Sequence, residues 1–261
     1  MQSKMVLEHK GIPVFYTDTG KGKAIVLLHG FLENSSIWKN ITPRLSEKNR
    51  VVTIDLLGHG ETGCLGYVHT MELMAEAVKA VLKHLKIRRS TFVGHSMGGY
   101  VALALAEKEP DAIRGLCLAN STAKADSEER KINRDRAIAT IKENHKTFIR
   151  MAIANLFRPK NRITFSKEIE ALKNEALKMP LQGIIAALEG MKIREDREIL
   201  WHFSPYKKMM IIGKRDPVLN YDELIAQTKN SGVEVVEFPD GHMSFIENEE
   251  EFLQKIMHFI E

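Results

Sequence analysis

Short β-branched runs alternate with helical patterns along the chain. The runs MVLEH, IPVFYTD, AIVLLH, RVVTIDL, STFVGH, RGLCLAN, KMMIIG and VEVVEF read as strands. Between the fourth and fifth, Met71, Met74, Val78, Val81, Leu82 and Leu85 recur at helical spacing. After the fifth comes YVALALA, apolar on every side, as a helix buried in the middle of a fold should be. The chain closes on Phe252, Ile256, Phe259 and Ile260, one helical stripe with Asn248 placed to cap its start. This alternation predicts an α/β fold: an eight-stranded, mostly parallel sheet with helices on both faces.

One interval breaks the rhythm. From Thr122 to His202 there are helical patterns and almost no strand signal, with TFIRMAIANLF and LQGIIAALEGM as the apolar-rich segments. A helical block inserted between two parallel strands reads as a lid over the strands' carboxyl ends, where ligands bind in such sheets. The expected division is a core of residues 1–121 and 203–261 and a cap of residues 122–202.

Composition narrows the class. A chain of 261 residues with 44% hydrophobic and 28% charged residues has enough apolar material for one large α/β domain. A net charge of +4 is slight, and no cluster of Lys and Arg suggests nucleic acid as a partner. The start MQSKMVLEHKG lacks an apolar signal segment, and no run is long enough to span a bilayer, so neither secretion nor a membrane is expected. Cys64 and Cys117 are the only cysteines, which predicts no disulfide and a reducing cytosol. A monomer or homodimer acting on a small molecule fits these numbers.

Two glycine-rich turns carry the candidate chemistry. In LLGHGETG, Gly58, Gly60 and Gly63 have the spacing of a dinucleotide-binding fingerprint. That motif should follow the first strand of its unit, open a helix directly and be answered by an acid at the tip of the next strand. Here it follows the fourth strand, the helix starts only near Met71, and the acid position falls inside that helix. Dinucleotide binding is not expected; a tight, close-approaching loop is.

The second turn, TFVGHSMGGYVALALA, places G-x-S-x-G between a strand and a helix. Turning that sharply strains the backbone at Ser96, and glycine at 94 and 98 avoids a Cβ clash. The Ser96 hydroxyl then projects above the sheet beside a helix N-terminus. A hydroxyl needs a base, and the base needs an orienting acid. Asp216 follows the seventh strand in IIGKRDPV, and His242 follows the eighth in EFPDGHMSF, where Gly241 suggests a sharp turn. Gly30 would let the loop after the third strand approach the serine, so that the N–H groups of Phe31 and Met97 form an oxyanion hole. Asn34, Ser35 or Ser36 is placed to cap the next helix, and Trp38 to bury against it. Phe31, Leu32, Met97, Phe148, Phe157, Val218 and Met243 are candidates to line a small apolar acyl pocket.

These motifs resemble the α/β-hydrolase superfamily, and the resemblance runs nearly end to end. LLHGFLENSSIW, IDLLGHGET, VGHSMGGYVALALA, GKRDPV and PDGHMSFIENEEEF occur in that family's order and spacing. The resemblance implies Ser96 as nucleophile, Asp216 as acid, His242 as base and a helical cap. It also implies that DLLGHGET is a structural turn, with Thr62 where serine is commoner. A serine nucleophile separates the chain from the dehalogenase and epoxide hydrolase branches. LEGMKIREDR resembles the cap-to-core linker of enol-lactonases, small carboxylesterases and cofactor-free perhydrolases. HGFLENSSIW with GHG is also similar to a menaquinone-pathway lyase, although Tyr100 stands where that branch usually has a basic residue.

The expected reaction is hydrolysis of small carboxylic esters through an acyl-enzyme, with no cofactor and no metal. Lactone opening, perhydrolysis or carbon–carbon cleavage would use the same triad, and a ligand sensor could retain it as a relic. Metal-assisted hydrolysis by His29, His59 and His95 is not expected, because carboxylate partners and ligand spacing are missing.

Overall fold

The structure, a computed structural model, describes residues 4–261. All eight expected strands form, with ends within two residues of the sequence reading: β1 (Lys4–His9), β2 (Ile12–Thr19), β3 (Lys23–Leu28), β4 (Asn49–Ile54), β5 (Ser90–His95), β6 (Ile113–Ala119), β7 (Lys207–Gly213) and β8 (Glu234–Phe238). They make one sheet in the order β1-β2-β4-β3-β5-β6-β7-β8, in which β2 alone runs against the others. The central strands are apolar on both faces, as a sheet covered by helices on each side requires: Val26, Leu28, Phe92, Val93, Leu116, Cys117 and Leu118 are fully buried.

The helices flank the sheet. They are α1 (Ile41–Leu45), α2 (Met71–His84), α3 (Met97–Lys108), α8 (Tyr221–Ala226), α9 (Ser244–Glu247) and α10 (Glu249–Ile260), with α4 to α7 inserted between β6 and β7. The α2 residues Met71, Met74, Val78, Val81 and Leu82 are buried as their spacing predicts, and α3 is buried on every side from Met97 to Ala106. Asn34 does cap the short turn Ser35–Trp38, accepting from the Ser36 N–H at 2.9 Å. Trp38 is fully buried, its ring against Phe245 and Phe252. Asn248 departs from expectation. It precedes α10, but its side chain makes no capping bond, and three glutamates in the first turn meet the helix dipole instead. Cys64 and Cys117 are both free.

The inserted block comprises α4 (Glu128–Leu156), α5 (Ser166–Ala176), α6 (Leu181–Lys192) and α7 (Glu198–Phe203). α4 is longer than its apolar segment suggests and kinks at Asn144, whose φ of −152° and ψ of 76° interrupt the helix. Its inward face carries Ile138, Ile141, Ile149 and Ile153. The two segments joining the block to the sheet are tied by charge. Asp126 accepts from Arg130, Arg134 and Arg194, and Arg197 bonds Glu72 and Glu107 while its N–H reaches the Ala123 carbonyl. Burial opposes the Asp126 charge, but the arginines outweigh it and hold the carboxyl below its usual range. Among the described residues, no helix is long and apolar enough to cross a membrane.

The three glycines of LLGHGETG have a packing explanation. Gly58, at φ +73°, lies against the backbone of α6: a Cβ there would sit 2.6 Å from the Gly183 Cα. Gly60, at φ +55°, leaves room for the Asp55 carboxylate, and a Cβ on Gly63 would press on Ile12. Asp55 in turn accepts from the N–H groups of Ser35 and Glu61, which closes the turn. Of the three, Gly58 seats the inserted helix α6, while Gly60 and Gly63 make room for Asp55 and Ile12.

Candidate active site

The strand order decides where chemistry gathers. From β3 the chain goes to one side to form β4, then to the other to form β5, so a crevice opens at the carboxyl ends of β3 and β5. Register brings the tips into line: Leu28 pairs with Gly94, His95 with Ala119, Ala119 with Ile211, and Gly213 with Phe238. Gly30, Ser96, Asn120, Asp216 and His242 all lie just beyond these ends.

Ser96 occupies the turn from β5 into α3 at φ +48° and ψ −115°, a conformation an L-residue adopts only under constraint. Three bonds hold it there. Its N–H donates to the Ala119 carbonyl at 3.0 Å, and its own carbonyl accepts from the Gly99 N–H and from the Ser121 hydroxyl at 2.7 Å. A Cβ on Gly94 would lie 2.5 Å from the Gly98 carbonyl oxygen, and one on Gly98 would lie 2.7 Å from that of His29. A Cβ on Gly99 would lie 2.7 Å from the Cβ of Ser121. These contacts make the glycines obligatory around the serine. Among the described residues the Ser96 hydroxyl makes no hydrogen bond.

Asp216 and His242 meet directly. His242 Nδ1 donates to Asp216 Oδ2 at 2.7 Å, with both side chains almost wholly buried. An acceptor-only carboxylate fixes the proton on Nδ1 and leaves the Nε2 lone pair free to act as a base. The other lone pairs of Asp216 are filled by the Val218 N–H at 2.8 Å, the Leu219 N–H at 3.0 Å and Asn120 Nδ2 at 3.2 Å. Burial disfavours the Asp216 charge, yet His242 and these donors outweigh it and hold its pKa below the usual carboxylate value.

The chain bends at Pro239, Asp240 and His242, on either side of Gly241. Gly241 does not adopt a positive φ; a Cβ there would instead lie 2.7 Å from the Arg158 N. The segment after α4 therefore presses against the histidine loop.

The third strand supplies the remaining groups. The Phe31 N–H finds no acceptor among the described residues, and the Met97 N–H is one of the unsatisfied first donors of α3. His29 locks the loop's base: Nε2 accepts from the Leu56 N–H at 2.9 Å, which leaves Nδ1 to donate to the Gly30 carbonyl at 2.7 Å. Burial pushes the His29 and His59 pKa values down, His59 to about 3. The three histidines weighed as metal ligands thus point at protein groups. His59 Nδ1 faces the Leu57 carbonyl, and no group of three potential ligands converges among the described residues. The expectation that a carboxylate partner is missing fails at one of them: Glu33 Oε2 lies 2.9 Å from His95 Nδ1.

The pocket candidates divide. Phe31, Phe148 and Val218 are partly buried, whereas Met97, Phe157 and Met243 are 0% exposed and Leu32 is 2% exposed. Side chains with no accessible surface line no open space, so these four are core as the chain stands. A groove of about 890 Å³ lies elsewhere, between α5 and the turn at Asn34–Ile37, with Phe165, Leu172 and Asp55 on its walls. Neither Ser96 nor His242 borders it. Sequence reasoning also passed over four residues of this region: Glu33, His95 as a structural group, Asn120 and Glu247. Asn120, at φ +46°, ends β6 where an asparagine tolerates the left-handed region, and that was its legible signal.

Comparison with known proteins gives a consistent neighbourhood. A family profile described as alpha/beta hydrolase fold matches residues 23–249. A thermophilic esterase from Thermogutta terrifontis, solved with malate bound, superposes with a TM-score of 0.90 at 30% identity, over 99% of this chain and 97% of its own. The pimeloyl-[acyl-carrier protein] methyl ester esterase of Aliivibrio fischeri is 24% identical over 95% of this chain and 97% of its own. The dihydrolipoyllysine-residue acetyltransferase component of the acetoin cleaving system of Pseudomonas putida is 27% identical over 92% of this chain. This chain spans 64% of that relative's length and 30% of three further curated relatives.

Proposed function

The chain belongs to the α/β-hydrolase fold family, and on that premise we propose that it is a serine hydrolase of small, largely apolar carboxylic esters. The observation that carries the reading is the 2.7 Å bond from His242 Nδ1 to Asp216 Oδ2, two strand tips away from a serine held at φ +48°. Such a dyad orients the imidazole and can present an unprotonated Nε2 to a hydroxyl beyond it.

In this reading His242 Nε2 takes the Ser96 proton as Oγ attacks the ester carbonyl. The Phe31 and Met97 N–H groups accommodate the oxyanion, each contributing about 3 kcal/mol to the transition state. The tetrahedral intermediate collapses, the carbon–oxygen bond to the alcohol breaks, and His242 returns the proton to the departing alkoxide. Water then repeats the sequence on the acyl-enzyme. Asp216 stays ionised and stabilises the imidazolium. Residues 122–202 serve as the cap over this crevice. The 30% identical esterase and the methyl ester esterase relative support an ester as substrate.

A panel of p-nitrophenyl esters of increasing acyl length tests the reading. Turnover is expected with short acyl groups and is lost in Ser96→Ala without loss of fold. No turnover of any ester or thioester by the intact chain would overturn it.

A further inference from the structure

We propose that Glu33 and His95 form a buried ion pair that positions the catalytic groups, joining the oxyanion loop, the nucleophile turn and the histidine loop through one imidazolium ring. The inference rests on the serine-hydrolase reading above and adds residues to its machinery.

Hydrogen-bond donors and acceptors supply the argument. His95 immediately precedes Ser96. Its Nδ1 faces Glu33 Oε2 at 2.9 Å, and its Nε2 faces the backbone carbonyl of His242 at 3.0 Å. Both partners are acceptors, and an imidazole donates from both nitrogens only when doubly protonated. The same Glu33 oxygen accepts the Gly30 N–H at 2.5 Å, one residue before the Phe31 N–H that faces the oxyanion. One charged ring thus binds the loop that stabilises the oxyanion and the loop that carries the base, while its own backbone carries the nucleophile.

Packing confirms how closely the site is built around the pair. Both side chains are 1% exposed. Phe245 meets the His95 ring edge-on at 4.9 Å, and the His242 ring lies 5.0 Å away. Gly30 is glycine because of the pair: a Cβ there would lie 2.8 Å from Glu33 Oε2 and 2.9 Å from His95 Nδ1. The titratable groups acting on His95 are Glu33 and Asp216, which favour its charge, with His29 and His242 beside it. Burial pulls the His95 pKa down, but the Glu33 carboxylate and the two hydrogen bonds outweigh it and raise the value. Burial likewise works against Glu33, and His95 outweighs it to keep the carboxyl below its usual value.

Stability alone gives no reason for the pair. A buried ion pair is seldom better than apolar side chains of the same volume. Here one carboxylate oxygen, Glu33 Oε1, is buried without a partner, which adds to the cost. What the pair supplies is register between three loops that must hold reacting atoms to a fraction of an ångström.

The test compares Glu33→Gln and the double variant Glu33→Leu/His95→Phe with the wild type. In Glu33→Gln the amide oxygen can still accept from Gly30 and His95, but the compensating charge is gone. His95 then keeps one proton and loses one of its two bonds. On a p-nitrophenyl ester, kcat is expected to fall about a hundred-fold with KM within about two-fold, because a misplaced site loses transition-state rather than ground-state contacts. The double variant, which leaves the Gly30 N–H and the His242 carbonyl without their partners, is expected to melt below the wild type and to show the same low kcat at little-changed KM, a split that a purely structural pair would not produce. Nitrogen-15 NMR of the wild type should show two protonated nitrogens on His95 at pH 7. A singly protonated His95, or kcat and fluorophosphonate labelling unchanged in both variants, overturns the proposal. A wild type that neither cleaves esters nor labels at Ser96 overturns the serine-hydrolase reading and the positioning role together.

Discussion

The backbone N–H of His242 donates to the carbonyl of Leu156, the last residue of α4, at 2.9 Å. A residue of the candidate triad is therefore held partly by the inserted helices. Glu247 completes the joint: Oε2 accepts from the Gly241 N–H, while Oε1 accepts from the Arg158 N–H and from Asn161 Nδ2. One carboxylate ties the histidine loop to the segment that follows α4.

Glu247→Ala should loosen both sides at once. Leaving these donors without their acceptor costs about 2 kcal/mol, equivalent to a fall in Tm of about 4–8 °C for a chain of this size. Ester turnover should drop with it, because the His242 loop loses its outer support. Thermal melts beside steady-state kinetics check this, and a variant with unchanged Tm and kcat would show that the joint carries no weight.

Gly58 and Gly183 pack backbone to backbone, so a methyl group at either position has nowhere to go. Gly183→Ala would push α6 off the Gly58 loop, an overpacking cost of about 1–3 kcal/mol. A lower Tm is expected, while NAD or FAD added to the wild type should leave its melting curve unmoved. A dinucleotide-induced rise in Tm would revive the fingerprint reading of these glycines.

Asp216 gives a pH prediction with a definite sign. Its folded-state pKa lies below the usual 3.8, so the stabilisation it supplies is complete above that value and is lost as pH falls through the folded value. The Tm gap between wild type and Asp216→Asn should therefore be open above about pH 4 and close as pH falls below it. At neutral pH the asparagine should cost about 10⁴-fold in kcat, by allowing the wrong histidine tautomer. A gap that stays open as pH falls well below about 4 would contradict an ionised Asp216 in the folded protein.

The sequence made the framework legible because its signals are local. Strand runs and the stripes of α2 and α10 each follow from periodicity within one element, and the glycines around Ser96 form a contiguous motif even though what Gly98 and Gly99 avoid lies on β3 and beyond β6. The residues Ser96, Asp216 and His242 were readable because each follows its own strand. Other features depend on partners far apart in the chain. Glu33 and His95 are separated by 62 positions and look like an ordinary loop acid and a motif filler until β3 and β5 lie side by side. The space that Gly241 leaves in the histidine loop is taken by the Arg158 backbone, which no local pattern could announce. Pocket candidates fared worst. Met97, Phe157 and Met243 have the right chemistry to line a cavity, yet apolar side chains at such spacing are equally suited to core, and core is where they lie.

The central claim is that Ser96 is the group acylated, with His242 as its base. Treating the protein with a fluorophosphonate probe and mapping the adduct by mass spectrometry tests it most directly. One adduct on the peptide carrying Ser96 is expected, formed rapidly in the wild type and at least a hundred-fold more slowly in His242→Ala. Labelling at another residue, or labelling of Ser96 at the same rate without His242, would contradict the account.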